Sequence, residues 1–248
     1  MTATANELLH TLTSGKLPLK KAPHLIGTEA YYAEYVHQQN IDMQVDEVVI
    51  PAATSFTWDD ASQNLILIVL AGHLFFNDQV AGPDQTLVVP AGQTTTLTVD
   101  GQEALHALLM VRQAPTMLAA PLLVANDDQP WLPYEEDGHV HLYLKNLLTP
   151  DQIGGCVMLL DYPADHITEW HDHSFTHAAF VLDGIFVNES QFDQTELYFG
   201  PGNFVCGPKG QIMRHGTSLE QDCHCYFLTD QPFSLHYLDQ ETVAKARH

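Results

Sequence analysis

Residues 169–177 read Glu-Trp-His-Asp-His-Ser-Phe-Thr-His, so imidazoles fall at 171, 173 and 177 with the carboxylates of Glu169 and Asp172 among them. Neutral imidazole is a preferred ligand of divalent transition metals, and three or four converging from neighbouring strands make a site for such an ion. On an extended strand, residues an even number apart project to one face. His171, His173 and His177 share that parity, and so does Glu169; Asp172 is out of phase and faces away. A further histidine, His215, follows the Pro208-Lys209-Gly210 turn on a separate apolar run. The pattern predicts one divalent transition metal (Fe, Zn, Ni, Cu or Mn) held by His171, His173, His177 and His215. Met213 and Gln211 compete for the fourth position, and Glu169 is a neighbour of the ligands or an alternative one. His166, His224 and His236 have no such context and read as ordinary surface or core residues.

The basic residues add a second expectation. Between 22 and 244 the chain has Arg112, Lys145, Lys209 and Arg214 as its cations, and two of these flank the turn that leads to His215. A positive charge there would attract an anionic group such as a carboxylate, so Lys209 and Arg214 are candidate substrate-binding residues. The competing reading is that they balance local acids on a turn. Tyr162, Trp170 and Phe186 are candidates for the mouth of the pocket, although aromatic residues in β structure are usually core.

These side chains need strands to position them. Short apolar or alternating runs, separated by Gly, Pro, Asn and Asp, fill the chain from about residue 45 onward: "DEVVIP", "LILIVLAGHLFF", "QTLVVPAG", "VMLLDYP", "HAAFVLDGIFV", "GNFVCGPKG" and "CHCYFLTD". That rhythm predicts an all-β sandwich or barrel. A short N-terminal helix is expected before it, with Leu8, Leu9 and Leu12 on one face and Gly15 ending the run.

The chain also resembles itself. "LILIVLAGHLFFND" at 65–78 matches "HAAFVLDGIFVNES" at 177–190, pairing Gly72 with Gly184. "QTLVVPAGQ" at 85–93 matches "GNFVCGPKGQ" at 202–211, pairing Pro90-x-Gly92 with Pro208-x-Gly210. Two related β-units account for this, joined within the Pro-containing stretch 114–138. The first copy puts Asp59, Ala61 and Leu65 where the second has His171, His173 and His177, and no histidine follows Pro90-x-Gly92. It keeps the glycines that backbone geometry needs and lacks the ligands.

The run His171-x-His173-x3-His177-x6-Gly184, then Gly202-x5-Pro208-x-Gly210 and a histidine, resembles the two sequence motifs of the cupin superfamily. Two positions depart from it: His177 stands where those motifs usually carry Glu, and Met213 where they carry His, with His215 two residues later. The resemblance spans about residues 40–235 and implies two tandem cupin barrels (double-stranded β-helix, or jelly-roll). Residues 1–39 would be an N-terminal helix and arm, 40–125 a degenerate metal-free cupin, and 126–240 the metal-binding cupin. The segment from "WLPYEEDG" through "VLDGIFVNES", with "HGTSLEQDC", is similar to single cupins of the anti-sigma-factor and acetylacetone-dioxygenase group. The pairing of a ligand-free with a metal-bearing cupin resembles the ureidoglycine aminohydrolase-type bicupins, from which the ligand positions His171 and Met213 differ. The resemblance implies a metal-dependent enzyme (dioxygenase, hydrolase or isomerase) acting on a small polar or anionic metabolite. Its alternative is a non-catalytic metal-dependent sensor or binding module. Self-association through the sheets, as a homodimer, is also implied.

Charge bounds the partners. With 31 acidic and 9 basic residues, the net charge is −22 with histidine neutral, which repels nucleic acid and anionic membranes. The N-terminal residues lack the basic and apolar regions of a signal peptide, and the longest apolar runs are strand-length, so a soluble cytoplasmic protein is expected. In a reducing compartment Cys156, Cys206, Cys223 and Cys225 read as buried thiols.

Overall fold

The computed structural model describes residues 20–25, 28–36, 42–113, 117–136, 138–193, 195–218 and 220–247. The expected helix around Leu8, Leu9 and Leu12 lies outside them. The regular structure of the described chain is almost entirely strand, and the chain divides into two compact units. Of the described residues, one unit comprises 20–129 together with 151–154; the other comprises 130–150 and 155 onward.

The first unit contains β1 (Lys20–Leu25), β2 (Thr28–Val36), β3 (Gln44–Ile50), β4 (Ser55–Trp58), β5 (Asn64–Ala71), β6 (Leu74–Phe76), β7 (Gln79–Ala81), β8 (Gln85–Val89), β9 (Thr95–Val99), β10 (Leu105–Arg112) and β11 (Leu122–Ala125). They form a sheet of order β1-β2-β3-β10-β5-β8-β11 and a smaller one of order β4-β9-β6-β7. Residues 20–36, assigned to an arm by sequence, thus supply two strands of the larger sheet.

The second unit contains β12 (Leu132–Glu136), β13 (His139–Leu148), β14 (Cys156–Tyr162), β15 (His166–Ile167), β16 (His171–Asp172), β17 (His177–Asp183), β18 (Phe186–Ser190), β19 (Leu197–Phe199), β20 (Phe204–Gly207), β21 (Met213–Thr217), β22 (Cys223–Thr229) and β23 (His236–Tyr237). Its sheets run β12-β13-β14-β22-β17-β20 and β19-β18-β21-β16-β23, with β15 also pairing β21. A helix, Gln240–Ala246, follows, capped by Asp239, whose side chain accepts from the Thr242 N–H.

The repeat seen in the sequence is a repeat of topology. The order β3-β10-β5-β8 recurs as β14-β22-β17-β20, and β4-β9-β6-β7 recurs as β16-β21-β18-β19. The paired glycines explain why they match. Gly72 and Gly184 both have positive φ (80° and 74°), and a Cβ on either would meet the backbone at the start of the corresponding last long strand: Ala104 O and Leu105 Cα in one unit, Asp222 O and Cys223 Cα in the other. Only glycine fits there, for conformation and for space.

Each unit buries its own core between its two sheets. Inward positions follow period two: Leu65, Leu67 and Val69 on β5, and Ala179 and Val181 on β17 in phase with His177. Cys156, Cys223 and Cys225 belong to the second core; with Cys206 they are buried free thiols. Gly184→Ala and Gly72→Ala should each destabilise their unit by roughly 2–4 kcal/mol, read as a lower denaturation midpoint. A midpoint unchanged in either variant would contradict the shared geometry.

Candidate metal centre

Parity survives in the fold. His171, His173, His177 and His215 are all buried, at no more than 2% exposure each, while Asp172 turns outward to His236 at 3.2 Å. His171 lies on β16 and pairs with Met213 of β21 and Tyr237 of β23. His173 follows directly, its carbonyl accepting from the Gly210 N–H at 2.9 Å, which ties the Pro208–Gly210 turn to the histidine run. His177 opens β17 between Gly207 and Thr229, and a Cβ on Gly207 would strike its ring.

Three of the four imidazoles converge. One ligand nitrogen from each of His171, His173 and His215 lies within 4.8 Å of the others, the only group of three or more His, Cys, Asp or Glu found so among the described residues. His171 Nε2 and His215 Nε2 stand 3.1 Å apart. His177 lies at the edge of this group, its ring centroid 4.4 Å from that of His173 and 5.8 Å from that of His215. Sequence spacing placed His177 with the first three ligands and His215 two residues late; in the fold His215 is central.

The outer nitrogens are held. His171 Nδ1 donates to the Glu169 carbonyl at 2.7 Å, and His173 Nδ1 donates to the Ser234 carbonyl at 3.1 Å. A carbonyl only accepts, so each neutral ring carries its lone pair on Nε2. His215 Nδ1 meets the Tyr162 hydroxyl at 3.1 Å, and a phenol, able to donate or accept, supports either tautomer. Glu169 therefore acts through its main chain, and its side chain is exposed.

Thr168 sets the approach of His171 to His215. Its hydroxyl and N–H both donate to the His215 carbonyl, at 2.9 and 3.0 Å, and the His215 N–H returns to that hydroxyl at 3.2 Å. Gly216, next along β21, lets β15 come close, since a Cβ there would collide with the His166 carbonyl. Aromatic rings wall the group: Phe227 stacks on His177 at 4.9 Å, Phe186 on His215 at 5.6 Å, and Phe175 and Tyr237 lie against His173 and His171.

Burial in this apolar sleeve disfavours the charged form of every imidazole. It lowers His171 to about 4 and His173 to about 3, the His171 imidazole adding to the effect on His173. It holds His177 and His215 well below the ordinary value, again reinforced by their neighbours. Burial likewise pushes the Tyr162 phenol up, so its proton stays in place. The donor set fits a divalent metal: neutral nitrogens, anchored on the far side, with the buried Nε2 of His173 lacking any hydrogen-bond partner in the protein.

The other expected site residues lie elsewhere. Arg214 is out of phase with His215 on β21; its guanidinium donates to Glu189 at 2.8 Å and Glu196 at 3.3 Å and covers the Trp170 ring with Arg247. Lys209 is exposed on its turn. Trp170 thus serves this ion-pair cluster, while Tyr162 and Phe186 contact His215. Sequence spacing gave no signal for Thr168, Gly207 or Ser234, whose roles depend on strands brought together from distant segments.

Registers identify what stands in the first unit where the second has these histidines. Trp58 pairs with Thr95 as His171 pairs with Met213, and Leu65 and Leu97 occupy the places of His177 and His215. The sequence overlay put Asp59 opposite His171; the register moves this by one residue, to Trp58. Trp58, Leu65 and Leu97 all belong to the first core.

No protein-family model matches the sequence, and a search of curated proteins finds none similar to it. The fold, however, matches solved cupin structures. A candidate dioxygenase from Nostoc punctiforme superposes with a TM-score of 0.66 at 15% identity, over 94% of this chain and 86% of that one. Oxalate decarboxylase from Lactobacillus farciminis gives 0.63 at 7% identity, over 94% and 89%. A cupin 2 conserved barrel domain protein from Leptotrichia buccalis gives 0.59 at 10%, over 86% and 91%. The chain is an all-β protein of two cupin barrels, and at these identities the likeness speaks for the fold.

Two measurements test the electrostatics and the anchoring. Unfolded histidines take up protons near 6.5, whereas the buried ones stay neutral to about 4 or below, so the unfolded state binds more protons in that window. Stability of the metal-free protein should therefore fall as pH drops from 6.5 toward 4, and His177→Leu, which copies Leu65, should flatten part of that fall in thermal melts. Equal slopes in both proteins would contradict the burial of a neutral His177. Tyr162→Phe should weaken metal binding about 10–100-fold in chelator competition with the fold intact; unchanged affinity would remove Tyr162 from the site.

Proposed function

We propose that the protein is a metal-dependent cupin enzyme that holds one divalent transition metal on His171, His173 and His215 of its second unit and acts on a small polar metabolite. The observation that carries this reading is the convergence of three buried, neutral imidazoles whose ligand nitrogens lie within 4.8 Å of one another. When bound, the metal would supply Lewis acidity and a coordination position for a substrate oxygen. The chain's own groups orient and shield that position. Glu169, Ser234 and Tyr162 fix the three rings from outside, and Phe175, Phe186 and Phe227 keep water from them. A ligand set of nitrogen without carboxylate favours Fe, Ni, Cu or Zn over Mn. Two of the structural neighbours, the candidate dioxygenase and oxalate decarboxylase, are described as enzymes, which supports catalysis over a purely structural role.

His215→Ala should lose stoichiometric metal by elemental analysis, whereas His177→Ala should retain it with affinity reduced less than about tenfold. Retention of full metal by His215→Ala would overturn the ligand assignment. A metabolite panel run aerobically and anaerobically assigns the reaction. Oxygen-dependent turnover with iron marks an oxygenase, and oxygen-independent turnover marks hydrolysis or isomerisation. Absence of any turnover by the metal-loaded protein would count for a sensor and against an enzyme.

A further inference from the structure

Gln211 is buried, at 4% exposure, and neither Oε1 nor Nε2 of its carboxamide has a hydrogen-bond partner in the protein. Its main chain is engaged: its N–H donates to the Pro208 carbonyl at 3.1 Å, in the turn whose Gly210 N–H is bonded to His173. From 211 to 215 the chain alternates. Gln211, Met213 and His215 are buried, while Ile212 and Arg214 are half-buried, with Arg214 ion-paired outward to Glu189 and Glu196. Gln211, in the turn just before β21, is thus buried in the same alternation as His215. Met213, between them, borders the His177 ring: its methyl and that ring adjoin the same point beside Gly207.

An unmatched buried carboxamide, with two donor hydrogens and an acceptor, is disfavoured against an apolar side chain of similar size. Strain and unsatisfied groups of this kind are characteristic of ligand sites. We propose that Gln211 is a specificity-determining residue that reads the substrate of the histidine site, and that this substrate offers donor and acceptor together, as an amide, hydroxamate or hydroxy-carbonyl group does. This rests on the metal-enzyme reading above. A carboxylate, which has no donor, would serve the two amide hydrogens and leave Oε1 unmatched. Neither basic side chain offers a carboxylate a second partner, since Arg214 is paired on the other face and Lys209 is exposed.

The test uses Co(II)-loaded full-length protein, with acetohydroxamate and acetate as probes followed by visible absorption. Gln211→Leu should keep Co(II) affinity within about twofold, lose about tenfold or more in acetohydroxamate affinity, and change acetate affinity by less than about threefold. Gln211→Glu, which keeps the shape and loses the donors, should show the same selective loss. Metal-free Gln211→Leu should melt above wild type by roughly 2–8 °C, because an unsatisfied buried group has been removed. Equal loss of both probes, no loss of either, a fall in Co(II) affinity in both variants, or a lower melting temperature for Gln211→Leu would each overturn the role. Failure of the wild type to take up Co(II) would instead overturn the metal-site reading, and this proposal with it.

Discussion

Two imidazole nitrogens held 3.1 Å apart in an apolar interior are the constraint around which the second unit is built. Two lone pairs at that distance repel unless a proton or a cation lies between them. Their approach is imposed from outside, through Thr168 bonded to the main chain of His215 and through the Glu169 carbonyl bonded to His171. Removing these rings from water keeps them neutral, and a neutral imidazole keeps a lone pair that a metal could use. Burial and tautomer are thus one arrangement seen from two sides.

The first unit shows the same fold without that constraint. Where the second places His171, His177 and His215, the first has Trp58, Leu65 and Leu97, all within its core. A large apolar side chain, fully buried, contributes about 1.5–3 kcal/mol, whereas a buried imidazole must first give up its hydration. The first unit therefore takes its packing from positions at which the second accepts a desolvation cost. Both keep the glycine at 72 or 184, because the strand crossing it permits is common to both folds.

The long-range pieces of the site share one property: each joins segments far apart in the chain. Thr168 reaches His215, Tyr162 reaches His215, and Ser234 reaches His173. Strand parity reports which face a side chain takes but carries no information on what stands across from it. For that reason Arg214, adjacent to His215 in sequence, belongs to the Glu189, Glu196 and Trp170 cluster on the opposite face. The same alternation that brings His215 in turns Arg214 out.

By itself the sequence determined the all-β class, the duplication and the set of four histidines, because period-two patterning and invariant turn geometry are written locally. It also determined which half carries the histidine cluster, since histidines are absent from the matching positions of the first. Tertiary structure decided which three converge: His215 moves to the centre and His177 to the edge, because β21 pairs with β15 and β16 through a register that spacing from Pro208 and Gly210 does not encode. It also decided that Trp58, one residue from the position read by overlay, stands in for His171. Cross-strand register is set by bulges, close glycine contacts and hydrogen bonds between distant segments, and these exist only once the sheets have formed.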